Sequence, residues 1–131
     1  MKNLKSLARM LEREERKEHS KEYNRPGLAG AFYRDGKTYL TNGYWGVIAD
    51  GEIAGLVMAE GEHPDVEKLL GDFVQGSDWK ETDNYDNFPK YQVEMLTRCF
   101  TKYKIYVGKI LVIKGEGGVA FVMPLRKNGR N

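Results

Sequence analysis

The chain has 131 residues, 40% hydrophobic and 31% charged, which is the size and balance of one soluble domain that can bury its own core. A net charge of +2 excludes a strongly basic or acidic protein, so the distribution of charge matters more than its sum. No apolar stretch reaches the roughly 18 residues of a membrane span, and the N-terminus lacks a signal-peptide pattern. We therefore expect a single cytoplasmic domain over residues 1–131 with no membrane contact.

The first predicted element is a helix over residues 2–20. Its apolar residues recur with the spacing of one buried face: Leu4, Leu7, Ala8 and Leu11. Basic residues fall within an arc of roughly 80° on the other side, and we call them the cationic ridge: Lys2, Lys5, Arg9, Arg13 and Arg16. Such a ridge could lie along a phosphate backbone. The alternative is a solvated face whose charge is balanced by pairs such as Glu12 with Arg16.

A β region follows, with strands predicted over 28–34, 37–41, 44–49 and 52–58. The separating dipeptides tolerate the positive φ angles of tight hairpin turns: Asp35-Gly36, Asn42-Gly43 and Asp50-Gly51. Five aromatic residues crowd this region: Phe32, Tyr33, Tyr39, Tyr44 and Trp45. Strand alternation should divide them between core and surface. Exposed members could stack on single-stranded bases or anchor a protein; the alternative is packing under the first helix.

The second half of the chain predicts two further helices and more strands. A helix over 62–74 would start with Pro64 and bury four residues: Val66, Leu69, Leu70 and Phe73. A short strand is expected near Trp79. A third helix over 91–102 would carry Arg98 and Lys102 as a second basic element. Strands follow over 104–114, interrupted at Gly108, and over 119–123. Antiparallel meanders that each follow a helix indicate an α+β fold with about three helices, and the order of elements repeats once.

The last strand leads into Pro124, which cannot donate to a sheet ladder. The run Phe121-Val122-Met123-Pro124-Leu125-Arg126 resembles the C-terminal strand and tail of the bacterial DNA sliding clamp, and Phe88-Pro89-Lys90-Tyr91 resembles a phenylalanine-proline-aspartate-tyrosine motif of the same family. This resemblance implies a clamp-like fold in which basic helices contact duplex DNA without reading its sequence. It also implies a homo-oligomer and a pocket for replication or repair peptides at Met123, Pro124, Leu125 and Arg126.

Residues that perform catalysis are scarce, and we expect no enzyme, no cofactor and no metal site. His19 and His63 lack a neighbouring nucleophile motif, and Cys99 falls on an apolar helix stripe that predicts a core position. The acidic residues between 78 and 86 lack the spacing of a calcium loop. The sequence favours a non-catalytic, clamp-like DNA- or replication-associated binding protein. The alternative is a protein–protein interaction or structural module of phage or mobile-element type without DNA binding.

Overall fold

The computed structural model describes residues 1–18, 28–74 and 78–125. Within these ranges the chain forms three helices: α1 (Leu4–Glu18), α2 (Val66–Val74) and α3 (Lys90–Thr97). It also forms seven strands: β1 (Ala31–Arg34), β2 (Lys37–Thr41), β3 (Trp45–Asp50), β4 (Lys80–Glu81), β5 (Tyr103–Val107), β6 (Leu111–Gly115) and β7 (Gly118–Val122). The predicted α+β class is confirmed. None of the described helices is long and apolar enough to cross a membrane.

All seven strands belong to one antiparallel sheet in the order β1-β2-β3-β7-β6-β5-β4. The two meanders, β1–β3 and β5–β7, meet where β3 pairs with β7, with Trp45 opposite Val122 and Ala49 opposite Gly118. Each meander follows a helix, α1 in the first half and α3 in the second. The predicted repeat of element order is therefore confirmed as two halves of a single sheet.

The two faces of the sheet bury different side chains because successive strand residues point to opposite sides. On the first face, α1 and α3 cover a core that includes Trp45, Val47 and Ile113. On the second face, Val66 of α2 packs with a smaller group that includes Ile48. The sheet is thus covered by two helices on its first face and by α2 on its second.

The turns between strands follow the dipeptides of the sequence. The β1–β2 hairpin turns at Asp35 and Gly36, whose φ angles are 52° and 82°, as a type I′ turn requires. Between β2 and β3, the Asn42 side chain accepts hydrogen bonds from the backbone N–H groups of Tyr44 and Trp45. Gly51 also has a positive φ but ends β3 without starting another hairpin.

The predicted strand over 52–58 is wrong. This segment forms only an isolated parallel bridge between Met58 and Ala31, and Gly55 in its middle has a φ of 80°, which breaks an extended strand. Ile53, Leu56 and Val57 instead pack against the first-face core as loop residues. Their apolar side chains, which suggested a strand, are partly buried by this packing without strand pairing.

Two helices are shorter than predicted. α2 begins at Val66 rather than near Pro64, because the Asp65 carboxylate accepts a hydrogen bond from the Lys68 N–H and so acts as the N-cap. α3 ends at Thr97. Residues 98–102, which were expected to continue it, form the turn that leads to β5.

Candidate nucleic-acid interface and tail pocket

Three members of the cationic ridge lie on the solvent side of α1, whereas Lys2 precedes the helix, which begins at Leu4 rather than at residue 2. The four apolar residues of the predicted stripe are all at most 5% exposed, so the helix docks by that stripe on the first face. Lys5, Arg9 and Arg13 are exposed, and the Lys5 stem passes close to Gly55. From Lys5 to Arg13 the ridge is about 12 Å long at 1.5 Å per residue. The helix bounds include Arg16, whose side chain is outside the described residues.

The end of α3 meets the start of α1, which joins the two predicted basic elements. The Lys2 N–H donates to the Cys99 carbonyl at 2.9 Å, and Asn3 Nδ2 donates to the Arg98 carbonyl at 2.9 Å. Lys2 and Arg98 are therefore neighbours, and both are exposed. Lys102 is also exposed, but both Arg98 and Lys102 lie after the end of α3 rather than on the helix as predicted.

The acidic residues of α1 lie at the border of the ridge or away from it. Glu15 is only 4% exposed, Glu12 is half-buried at the border of the ridge, and Glu14 is exposed on another side of the helix. Each of the three has an interaction partner of its own. An extended row of exposed cations on a docked helix can contact successive phosphates and release their counterions without contacting bases. An ordinary solvated face would show the same exposure.

The sequence also suggested the C-terminal strand as a peptide-docking edge, and that prediction is wrong because β7 is not at an edge of the sheet. β7 is hydrogen-bonded on both sides, to β3 and to β6, because the two meanders join through it. The backbone N–H and C=O groups on both sides of β7 are already paired, so a peptide cannot add to β7 as a further strand. Candidate peptide contacts must therefore come from the residues after the strand.

Those residues turn back onto the loop that precedes α3. The Met123 N–H donates to the Tyr44 carbonyl, and the Leu125 N–H donates to the Asn87 carbonyl at 2.9 Å. Met123 packs half-buried on the second face, and Leu125 is 39% exposed. Pro124 between them is exposed. Arg126 is outside the described residues.

Leu125 lies in an open pocket of about 730 Å³, which we call the tail pocket. Its other lining residues all come from the loop before α3 and the first residue of that helix: Asp83, Asn84, Tyr85, Asp86, Phe88, Pro89 and Lys90. The two segments on which the sliding-clamp resemblance rests, separated in sequence by about thirty residues, thus line one pocket. The sequence analysis did not identify these loop residues as part of a site. They are far from Leu125 in the chain, and only the chain reversal after β7 brings Leu125 next to them.

The aromatic residues of the first meander divide into three buried and two exposed side chains. Phe32, Tyr39 and Trp45 are at most 3% exposed, whereas Tyr33 and Tyr44 are 45% and 50% exposed. Only Trp45 of the buried three packs with α1; Phe32 and Tyr39 belong to the second face. Packing under the first helix therefore accounts for one of the five.

The candidate catalytic residues Cys99 and His63 both pack against other side chains. Cys99 is fully buried, and burial raises the pKa of its thiol to about 11, which makes it a poor nucleophile. The His63 ring stacks on Phe32 with ring centroids 4.3 Å apart. His19 is outside the described residues. Among the described residues, no group of three or more His, Cys, Asp or Glu could hold a metal ion.

Comparisons with known proteins add no assignment: no family model, no curated protein and no solved structure matches the chain.

Proposed function

We propose that this protein is a non-catalytic, clamp-like binding protein that associates with duplex DNA through the cationic ridge. The supporting observation is the junction of α1 and α3. It brings the backbone of Arg98 next to Lys2 and Asn3, so that exposed basic residues from both halves of the chain lie near the start of α1. Contact with phosphates alone would give binding that is independent of base sequence.

The tail pocket supports a second part of this proposal, namely the capture of a peptide from a replication or repair protein. Leu125 supplies an exposed apolar contact, and Lys90 contributes a positive charge to the lining. A homo-oligomer could close such units around DNA, as the resemblance to the sliding clamp implies. The pocket and the ridge are built from different elements, so each can be tested separately.

The test of DNA association is a salt titration with a fluorescently labelled duplex. If four to six cations contact phosphates, log K should fall with log salt with a slope of about −4 to −5. Replacing Lys5, Arg9 and Arg13 together by glutamate should reduce affinity at low salt by more than about tenfold and make the slope shallower by about 3. The matched control reverses three exposed lysines outside the ridge, Lys68, Lys80 and Lys114.

Equal losses in the ridge variant and the control would show only a general charge effect and would contradict a defined interface. Unchanged DNA affinity in the ridge variant would refute the ridge as a binding site. Light scattering with and without duplex DNA should show a closed oligomer or a DNA-dependent rise in mass. A monomer that ignores DNA would refute the clamp-like assembly.

The exposed apolar side chains favour a second candidate function, a protein-binding module without DNA affinity. Tyr44 and Met58 are each 50% exposed and Tyr91 is 74% exposed, and tyrosine and methionine are enriched at protein interfaces. If DNA binding is absent, a partner protein should protect these positions from surface labelling.

A further inference from the structure

The second face of the sheet carries a groove beside α2. It has a volume of about 690 Å³, within the range of ligand-binding sites. Its floor is apolar, with Ile48, Val112 and Val119, and its walls include Leu70 of α2 and Trp79. We call it the second-face groove. It lies on the side of the sheet opposite α1 and α3, so it is separate from the cationic ridge.

The groove runs across the strands rather than along one of them. Its lining residues come from five adjacent strands, from Lys37 on β2 to Tyr106 on β5. Four strand spacings of about 4.8 Å give a length of about 19 Å. An extended peptide of about six residues has this length at 3.3 Å per residue, whereas a compact small molecule would occupy only part of it.

The two ends of the groove differ in charge. At the β2 end, Lys37 is paired with Glu67 at 3.1 Å and lies opposite Asp50 in the strand register, so its charge is balanced. At the β5–β6 end, Lys114 lies directly opposite Lys104, a destabilising arrangement of like charges. Glu81 is 3.8 Å from Lys104. No carboxylate of the described residues lies within salt-bridge distance of Lys114, whose ammonium sits 5.8 Å from the Tyr106 ring centroid.

We propose that the second-face groove binds an extended segment of a partner protein with an apolar middle and a carboxylate at one end. Apolar side chains of the segment would lie between Leu70 and Trp79 on the strand floor. The carboxylate would pair with Lys114 and relieve its repulsion with Lys104. A free dianionic phosphate fits less well, because apolar side chains line most of the groove and would make no contact with it. This inference is independent of DNA binding.

The experiment uses the full chain and three matched sets of short synthetic peptides. Each peptide has the same leucine- and phenylalanine-rich middle, followed by paired glutamate, glutamine or lysine residues. Binding is followed by the anisotropy of labelled peptides. It is also followed by the fluorescence of Trp79, since Trp45 is fully buried on the first face. We expect the glutamate peptides to bind best and the lysine peptides worst.

Reversing the charge of residue 114 should reverse the order of peptide affinities. In Lys114→Glu the glutamate peptides should lose about tenfold in affinity and the lysine peptides should become the preferred set. Lys109→Glu makes the same change at an exposed position that does not line the groove and should leave the order unchanged. Leu70→Asp should weaken all three sets, with circular dichroism showing that the variant is folded. Lys114 is exposed, so Lys114→Glu should not disturb folding. It therefore tests the proposal even if Leu70→Asp fails to fold.

Three results would overturn the proposal. One is the absence of peptide binding at about 1 mM, and another is a peptide preference that Lys114→Glu does not alter. The third is equally tight binding of a capped single glutamate, which would assign the groove to small anions. If the chain self-associates and Leu70→Asp abolishes that association, the occupant is a second copy of the chain rather than a partner.

Discussion

A single methyl group at Gly118 tests how the two halves of the sheet are joined. Gly118 starts β7 opposite Ala49 of β3. A Cβ at this position would lie 2.3 Å from the Ile48 carbonyl oxygen, 3.0 Å from the Ala49 Cα and 2.6 Å from the Met1 sulfur. The Met1 side chain can move aside. The Ile48 carbonyl cannot, because it belongs to the backbone of the central strand pair.

The expected cost of Gly118→Ala follows from this geometry. Overpacking in a rigid environment destabilises by about 1–3 kcal/mol, and the loss of glycine entropy in the unfolded chain offsets about 0.5–1 kcal/mol. For 131 residues, an unfolding entropy of about 2.1 cal/mol/K per residue converts 1 kcal/mol to about 3.6 °C. A net loss of about 1.5 kcal/mol therefore lowers the melting temperature by about 5 °C.

Gly71→Ala is the matched control because the same chemical change should have the opposite sign. Gly71 lies inside α2, and a Cβ there would meet no atom within 4 Å. Alanine in a helix interior should stabilise by about 0.5–1 kcal/mol, a rise of about 2–4 °C. The assay is thermal unfolding followed by circular dichroism. If Gly118→Ala melts at or above the wild-type temperature, the close approach of β3 and β7 described above is refuted.

Three further predictions concern the helix junction, the buried thiol and the tail pocket. Asn3→Ala should lower the unfolding free energy by about 1 kcal/mol, since it removes the bond to the Arg98 carbonyl and Asn3 has a φ of 62°. Asn3→Gly, which relieves the positive φ, should lose less in chemical denaturation. Because burial raises the pKa of Cys99 from 9.0 to about 11, the folded state retains its proton longer than the unfolded state. This stabilisation is complete below pH 9 and is lost as pH approaches 11, by about 2–3 kcal/mol. Urea unfolding of Cys99→Ala should show a correspondingly smaller decline over that range, and an identical decline would contradict the burial of the thiol. Leu125→Ala should cost under about 1 kcal/mol of stability, because the side chain is 39% exposed. A loss of several kcal/mol in its melting curve would show that Leu125 is a core residue rather than a surface contact.

The sequence predicted most of the local structure because local rules governed it. The stripe from Leu4 to Leu11 specified which side of α1 is buried, and the Asp35-Gly36 dipeptide specified a hairpin. Prediction failed where strand-like composition competed with packing of the same side chains on the core. The segment 52–58 has strand-like composition, yet it forms a loop because the first-face core accepts its apolar side chains.

The arrangement of the candidate sites was decided by the tertiary structure. The chain alone indicated that the ridge from Lys5 to Arg13 faces away from the core, since helical periodicity fixes relative orientation. It could not show that Arg98 adjoins the start of α1, that Leu125 is bonded to Asn87, or that Lys114 lies opposite Lys104. Those contacts join residues distant in sequence, and they exist only because β7 is inserted between β3 and β6, where long-range pairing rather than local propensity selects the neighbours.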